Sequence, residues 1–385
     1  MTAVVGGNAV ALLENGLQYF PALLAEIDAA LSEIYIQTYI FDPDETGRRI
    51  AAALKRAAAR GVAVRLLVDG FGGRAFVGGL MPDLVAGGVE VLIYRREFRM
   101  FSLRRHRLRR MHRKVAVIDG RVAFVGGINI LDDFVHGGPA RPRYDYAVRV
   151  EGPLLEPILA SVHRLWRLVT WAGLRHRGSQ PLKAQPVTTV AGNIRAAFLI
   201  RDNLRHRLEI EDAYLDAIAG ARHEIVIANA YFFPGRRFRH ALLEAAQRGV
   251  RVTLLLQGLA DHPVQKYATR ALYPLLLAGG IRLFEYHLSI MHAKVAVVDD
   301  RWATVGSSNI DPFSLLLARE ANVVVVDAGF AASLRASLAA AMDDGASELR
   351  QEHWHRLPRF RRLLSWLAYQ AVRLSIGVAG YGGKH

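Results

Sequence analysis

The chain has 385 residues, of which 52% are hydrophobic and 22% are charged, a balance typical of a globular protein long enough for two domains. Disordered and fibrous proteins are therefore excluded, and the absence of cysteine excludes disulfides, thiolate nucleophiles and cysteine-based metal centres. Lys and Arg number 50 against 35 acidic residues, so the formal charge of +15 favours a polyanionic partner such as nucleic acid or anionic lipid head groups.

The ends of the chain bear on its location. Residues 1–7 have neither a basic start nor an apolar core, so we expect no signal peptide. No uncharged apolar stretch reaches the roughly 20 residues that a membrane span needs. We therefore expect a soluble or peripheral protein.

Taken in chain order, the predicted elements occur twice. Each copy consists of a buried strand, an alanine-rich helix closed by glycine, and a second buried strand. The first copy comprises residues 31–41, 48–60 with Gly61, and 62–68, and the second comprises residues 223–233, 237–248 with Gly249, and 250–256. Strands that alternate with helices predict an α/β fold with helices covering the sheet.

The repeat divides the chain into predicted domains. Residues 175–187 contain Gly and Pro and lack apolar periodicity, so they are the predicted linker. We therefore predict an N-terminal domain at residues 1–174, a C-terminal domain at 188–345, and a basic amphipathic tail at 346–385.

A further strand in each half is predicted to carry a motif whose His and Lys, two residues apart, lie on one face of the strand. It reads His112-x-Lys114-x4-Asp119 in the first half and continues to Gly126-Gly127-x-Asn129. The second half has His292-x-Lys294-x4-Asp299 and continues to Gly306-Ser307-x-Asn309. An imidazole beside a fixed ammonium suits phosphate chemistry, because the ring can attack phosphorus or deliver a proton while the lysine holds an oxygen.

Chance is a poor explanation for two such motifs at equivalent places. Only six of the 50 basic residues are lysines, and two of those six lie in the motifs. This choice indicates that a compact point charge is required rather than a guanidinium group.

With both motifs in place, the sequence resembles the phospholipase D superfamily, whose motif HxKxxxxDxxxxxxGSxN occurs in two copies. The resemblance implies two homologous α/β/α sandwich domains, arranged as a pseudo-twofold dimer within one chain, whose motifs share one active site. It also implies a covalent phosphohistidine intermediate and no metal or cofactor.

Residue roles are carried over from the resemblance. His112 is then the nucleophile and His292 the acid/base. Phosphoryl oxygens are bound by Lys114, Lys294, Asn129 and Asn309, together with Ser307 and the backbone amide of Gly127, where the family has serine. Glu320 is expected to orient His292, and Asp145 to orient His112. Asp119 and Asp299 are either catalytic or tie the motif together structurally.

The segments Gly126-Gly127-Ile128-Asn129 and Tyr144-Asp145-Tyr146 more specifically resemble bacterial cardiolipin synthases of the short type without N-terminal transmembrane helices. Such an enzyme transfers a phosphatidyl group onto phosphatidylglycerol. The donor is phosphatidylglycerol or phosphatidylethanolamine. This implies an anionic phospholipid membrane as partner, no nucleic acid, and a peripheral position on the cytoplasmic side of the bacterial inner membrane. A phospholipid hydrolase and, less favoured, a phosphodiesterase nuclease stay open as alternatives.

Three segments bear on a lipid substrate. Residues 95–114 carry ten basic residues with apolar insertions, which favours docking on anionic head groups over a solvated loop or a nucleic-acid contact. Residues 359–374 predict a basic amphipathic helix that either lies at an interface or packs on the core. Residues 154–174, with Trp166 and Trp171, predict core or interdomain packing.

Overall fold

The structure is a computed structural model that describes residues 3–95, 109–134, 141–173, 184–202, 205–259, 263–352 and 359–378. Most of the predicted linker and most of the basic segment at 95–114 lie outside these residues. The first half contains β1 (Val5–Glu14), α1 (Asn15–Ala29), β2 (Glu33–Thr38), α2 (Glu45–Ala59), β3 (Ala63–Asp69), α3 (Arg74–Gly78), α4 (Met81–Ala86), β4 (Glu90–Tyr94), β5 (Lys114–Ile118), β6 (Val122–Gly126), β7 (Tyr146–Glu151) and α5 (Leu155–Ala172).

The second half repeats this order of elements and extends it at the C-terminal end. It contains β8 (Ile194–Arg201), α6 (Glu209–Gly220), β9 (Glu224–Asn229), α7 (Arg236–Gln247), β10 (Arg251–Gln257), α8 (Pro263–Arg270), α9 (Tyr273–Ala278), β11 (Arg282–Tyr286), β12 (Lys294–Val298), β13 (Trp302–Gly306), α10 (Pro312–Leu316), β14 (Glu320–Val326), α11 (Ala328–Gly345), β15 (Ala346–Leu349) and α12 (Arg359–Val378).

The sheet topology confirms the internal duplication. Outward from the centre, the strand order is β1-β7-β6-β5-β2-β3-β4 in one half and β8-β14-β13-β12-β9-β10-β11 in the other. Antiparallel pairing of β1 with β8 joins the two halves, and β15 adds a last strand beside β11. The strands of the predicted pairs, β2 with β3 and β9 with β10, are parallel and connected by α2 and α7.

Local sequence explains these elements. Asp44 caps α2 by accepting from the amide of Gly47 at 2.8 Å, and Gly61 follows the helix with a φ of +89°. Every residue of β2 and β3 is buried, as predicted, and the buried charge of Arg65 in β3 is paired with Glu33 in β2. The α/β fold predicted from the repeat is therefore confirmed.

Three hydrophobic clusters form the core. One lies under α1 and α2 of the first half, and one lies under α6, α7 and α8 of the second half. The third is shared by both halves and contains strand side chains from each half of the sheet together with side chains of α5 and α11. Trp166 belongs to this shared core, as predicted, whereas the prediction for Trp171 was wrong, because this side chain is 68% exposed near the end of α5.

The C-terminal helix α12 packs on the second half through one face. Ser365 and Val372 are buried, and the ring of Tyr369 lies 5.3 Å from that of Phe233. The opposite face exposes large apolar residues, namely Phe360, Leu363, Leu364, Trp366, Leu367 and Leu374. Core packing is therefore correct for one face only, and the outer face is apolar where a surface helix on a soluble protein is normally polar. No helix in the described ranges is long and apolar enough to cross a bilayer.

Candidate active site

The two predicted motifs meet where the halves contact each other. The amide of His112 donates to the carbonyl of Arg319 at 2.9 Å, and the amide of His292 donates to the carbonyl of Tyr144 at 2.8 Å. Short parallel bridges accompany both contacts. Each histidine is thus held by the backbone of the opposite half, and the contact is reciprocal, as a pseudo-twofold arrangement requires.

Each imidazole pairs with a carboxylate from the other half. Nδ1 of His112 lies 3.0 Å from Oε1 of Glu320, and Nδ1 of His292 lies 2.6 Å from Oδ2 of Asp145. The expected pairing of Glu320 with His292 and of Asp145 with His112 was therefore wrong. That expectation kept each pair within one half, whereas Arg319 and Tyr144, which hold the opposite histidines, immediately precede these two carboxylates in the chain.

These pairs define the tautomer of both rings. Glu320 is fully buried, and the side chain of Asp145 is 6% exposed, so each carboxylate is shielded from water. A carboxylate that accepts from Nδ1–H leaves the Nε2 lone pair as the reactive position of the ring. The histidine side chains are 17% and 18% exposed, so a substrate can reach them.

Burial changes the protonation of this site. Desolvation lowers the pKa of His112 below its ordinary value even though the charge of Glu320 opposes the change. Desolvation, followed by the charge of Lys294, holds the pKa of His292 well below the ordinary value. Burial also raises the pKa of Asp145 to about 6. Both imidazoles are therefore neutral near neutral pH in the free protein.

The lysines of the motifs lie beneath the histidines. Nζ of Lys114 donates to the carbonyl of His112 at 2.6 Å, and Nζ of Lys294 donates to that of His292. Both side chains are buried, and desolvation lowers the pKa of Lys114 to about 7. Each lysine is therefore held next to the histidine of its own motif.

Asn129 and Asn309 are buried in the loops that follow β6 and β13. Oδ1 of Asn129 accepts from the amide of Ile40 at 3.1 Å, which fixes the orientation of the side chain and makes its NH2 group the donor for an anion. Oδ1 of Asn309 has no hydrogen-bond partner among the described residues.

Gly127 and Ser307 do not offer donors to a phosphate. The amide of Gly127 donates to the carbonyl of Tyr146 at 2.9 Å, and that of Ser307 donates to the carbonyl of Ala321 at 3.0 Å. The hydroxyl of Ser307 donates to Glu320. The structure therefore argues against their predicted phosphate-binding role, because these donors already bind the adjacent strands and the carboxylate beside His112.

Asp119 and Asp299 have the structural role, the second of the two predicted alternatives. Asp119 accepts from the amides of Leu31, Ser32 and Glu33, and Asp299 accepts from those of residues 222–224. Both aspartates have a positive φ, and both lie at the end of the strand away from the histidine. The catalytic alternative was wrong, since these carboxylates anchor the tight turn after β5 or β12.

Tyr39 is a residue of the site that was not predicted from the sequence. The ring of Tyr39 lies 4.9 Å from that of His112, and Nζ of Lys114 lies 5.4 Å from the centre of the Tyr39 ring. Tyr39 directly follows β2, and an aromatic residue at the carboxyl end of a buried strand was the available signal.

Comparison with known proteins identifies the family. The family model described as "Cardiolipin synthase, PLD-like domain" matches residues 23–153 and 214–342. Cardiolipin synthase B of Escherichia coli K12 is 40% identical, with 96% of this chain and 92% of that protein covered. Cardiolipin synthase A of Yersinia pestis is 31% identical, with coverages of 95% and 75%.

Solved structures confirm the fold. Phosphatidylserine synthase of Haemophilus influenzae matches with a TM-score of 0.72 and 13% identity, covering 98% of this chain and 97% of that chain. Polyphosphate kinase of Porphyromonas gingivalis matches with a TM-score of 0.58 and 15% identity, covering 95% and 53%. The two family-model matches divide the chain into two phospholipase D-type domains, as predicted. The chain therefore belongs to the cardiolipin synthase family of the phospholipase D superfamily.

Proposed function

We propose that this protein is a cardiolipin synthase, a phosphatidyltransferase that joins two phospholipids without a metal or cofactor. The observation that carries the proposal is the meeting of His112 and His292, each oriented by a buried carboxylate of the opposite half. Two neutral imidazoles and two ammonium groups in one site suit a two-step transfer of a phosphodiester.

In the first step, Nε2 of His112 attacks the phosphorus of a donor lipid. The P–N bond forms while the bond from phosphorus to the head-group oxygen breaks. The substrate's anionic charge favours protonation of His292, which gives its proton to the departing alcohol. Glycerol leaves from phosphatidylglycerol, or ethanolamine leaves from phosphatidylethanolamine, and the phosphatidyl group remains on His112.

In the second step, the head-group hydroxyl of phosphatidylglycerol attacks the phosphohistidine. His292 removes the proton of that hydroxyl, the P–N bond breaks, and cardiolipin forms. Lys114, Lys294, Asn129 and Asn309 stabilise the charge that builds up on the phosphoryl oxygens in both steps. Water in place of the lipid hydroxyl would yield phosphatidic acid, and the partial exposure of both rings favours this hydrolase as the second candidate.

The exposed face of α12 supports a peripheral membrane position. Its large apolar side chains point away from the core, and residues 353–385 contain six Lys and Arg residues and no acidic residue. A basic helix with an exposed apolar face fits the surface of an anionic bilayer. We place the protein on the cytoplasmic side of the bacterial inner membrane with phosphatidylglycerol as its lipid partner.

The test uses purified protein and phosphatidylglycerol vesicles, with and without phosphatidylethanolamine, and identifies the products by mass spectrometry. Cardiolipin is expected from the wild-type protein and from His240→Ala, a control at an exposed histidine of α7, but not from His112→Ala or His292→Ala. Phosphatidic acid alone would establish the hydrolase. Cardiolipin formation by either site variant at the normal rate would overturn the two-histidine mechanism.

A further inference from the structure

The two halves differ at one corner of the shared site, which is formed by the residue after β2 or β9 and the last residue of β3 or β10. The register of β2 with β5 and of β9 with β12 makes Ala230 the counterpart of Tyr39. The register of the neighbouring strands likewise makes Gln257 the counterpart of Asp69. Both positions lie at the carboxyl ends of parallel strands, where α/β sheets bind their ligands.

In the first half this corner is filled and its polar groups are satisfied. Tyr39 occupies the space beside His112, and a Cβ atom added at Gly72 would lie 3.0 Å from the Tyr39 ring. Asp69 accepts from the amides of Met111 and Phe71, both at 2.8 Å, and from the side chain of Arg110.

In the second half the small side chain of Ala230 leaves a recess. Its lining includes the polar side chains of Gln257, Gln265, Lys266 and Thr269 together with Tyr231 and Tyr273. Within the described ranges, neither Nε2 of Gln257 nor Oε1 of Gln265 has a hydrogen-bond partner, although both atoms are buried. The whole Gln257 residue is only 7% exposed. A buried polar atom without a partner destabilises the protein, and a bound polar group would supply the missing partner.

The position of the recess connects it with the reaction. The amide of Ala230 donates to the carbonyl of Ala293 at 2.9 Å, directly after His292. Because Tyr39 lies beside His112, its counterpart Ala230, which lines the recess, lies on the side of His292, the histidine that we assign to the alcohol both when it leaves and when it attacks. It has room for about one water molecule or hydroxyl group, which is too little for a phosphate or an acyl chain.

We propose that this recess binds a hydroxyl of a polyol head group, such as the free hydroxyl of phosphatidylglycerol. A hydroxyl accepts from Nε2 of Gln257 and donates to Oε1 of Gln265 at the same time. An ammonium head group can only donate, so it would leave the Gln257 amide without a partner. The recess then selects a glycerol head group over ethanolamine at the alcohol position, a role that rests on the proposed function.

Binding of soluble head-group diesters tests the recess without any turnover. Full-length His112→Ala protein is titrated by calorimetry with glycerophosphoglycerol and with glycerophosphoethanolamine. We expect Gln257→Met to weaken the glycerol diester at least tenfold and to change the ethanolamine diester less than twofold. Gln257→Glu, which replaces the donor by an acceptor, should invert the preference. Gln247→Met on the exposed side of α7 is the matched control and should change neither affinity.

Three results would overturn the recess as a hydroxyl site. These are equal losses for both diesters, unchanged affinities in Gln257→Met and Gln257→Glu, or no preference in the parent protein. A chain that only hydrolyses lipids would still show the preference for the glycerol diester. If the protein makes cardiolipin but does not prefer the glycerol diester, the hydroxyl site is overturned and the proposed function stands. The two proposals therefore fail separately.

Discussion

Nδ1 of His292 lies 2.6 Å from the carboxylate of Asp145, a residue of the opposite half, and the pairing of His112 with Glu320 repeats this relationship. Neither half can therefore assemble a complete histidine–carboxylate pair by itself. The reciprocal backbone bridges that hold the two histidines make the site a property of the interface between the halves.

The crossed pairs predict the effect of neutralising each carboxylate. Glu320→Gln and Asp145→Asn should each lower kcat by about 10²- to 10⁴-fold, because the imidazole loses the partner that fixes its tautomer and supports its positive charge. Steady-state formation of cardiolipin measures the loss. Glu348→Gln, which removes an exposed partner of Arg282, is the control and should retain the normal rate. Near-normal rates in both carboxylate variants would contradict the role of the pairs.

Restoring the family serine at Gly127 should be harmful. A Cβ atom at this position would lie 2.3 Å from Oδ1 of Asp145, so Gly127→Ser must displace the carboxylate that orients His292. We expect at least a tenfold loss of activity and a loss of about 1–3 kcal/mol in the free energy of unfolding. Activity assays and denaturant titrations measure the two effects. A gain in activity would show that Asp145 moves aside without cost.

Asp119 should contribute to stability and not to chemistry. Asp119→Asn removes the charge and one oxygen acceptor at a turn that binds three backbone amides, so unfolding should become easier by about 1–3 kcal/mol. Activity per folded molecule should stay within twofold. Thermal unfolding and an assay at low temperature separate the two effects, and a hundredfold loss of kcat in folded protein would restore the catalytic alternative.

The stabilising effect of Asp119 should depend on pH. Burial raises the pKa of its carboxyl, but the amides of Glu33, Leu31 and Ser32 together lower it below the ordinary 3.8. A lowered pKa means that the contribution is present above pH 3.8 and is lost as the pH falls through the folded value. The stability difference between wild type and Asp119→Asn should therefore shrink in acid.

Lys114 should set a limit on activity at high pH. Because burial lowers its pKa to about 7, the ammonium loses its proton above that pH in the free protein. We expect kcat/KM to fall as the pH rises above about 7, whereas kcat should hold to higher pH because bound phosphate favours the charged form. Lys114→Arg should be inactive at every pH, since a planar guanidinium does not replace a point charge. A flat profile of kcat/KM from pH 6 to 9 would contradict this assignment.

The exposed face of α12 should drive membrane binding. Replacing Leu363, Trp366 and Leu367 together by serine should reduce partitioning onto phosphatidylglycerol vesicles at least tenfold, since burial of one large apolar side chain contributes about 1.5–3 kcal/mol. Sedimentation of vesicles measures the bound fraction. Leu31→Ser, at a leucine 88% exposed in the first half, is the control. Unchanged partitioning of the triple variant would leave α12 with core packing alone.

Much of this protein was predictable from the sequence because its signals are local. Runs that are mostly apolar and β-branched, such as residues 62–68, identify buried strands, and a glycine such as Gly61 marks the end of a helix. Duplication of the motif around His112 and His292 then indicated the chemistry and the family, since spacing along a strand determines which side chains can act together.

Pairing and exposure were decided only by the tertiary structure. Which carboxylate meets which histidine depends on how the halves dock, and no spacing within one half records that Glu320 lies beside His112. The same holds for the exposed face of α12, because amphipathic spacing cannot tell which face of the helix packs on the core. The recess at Ala230 arises because one half lacks the aromatic ring that fills the other, and the pairing registers of the two sheets identified these positions as equivalent.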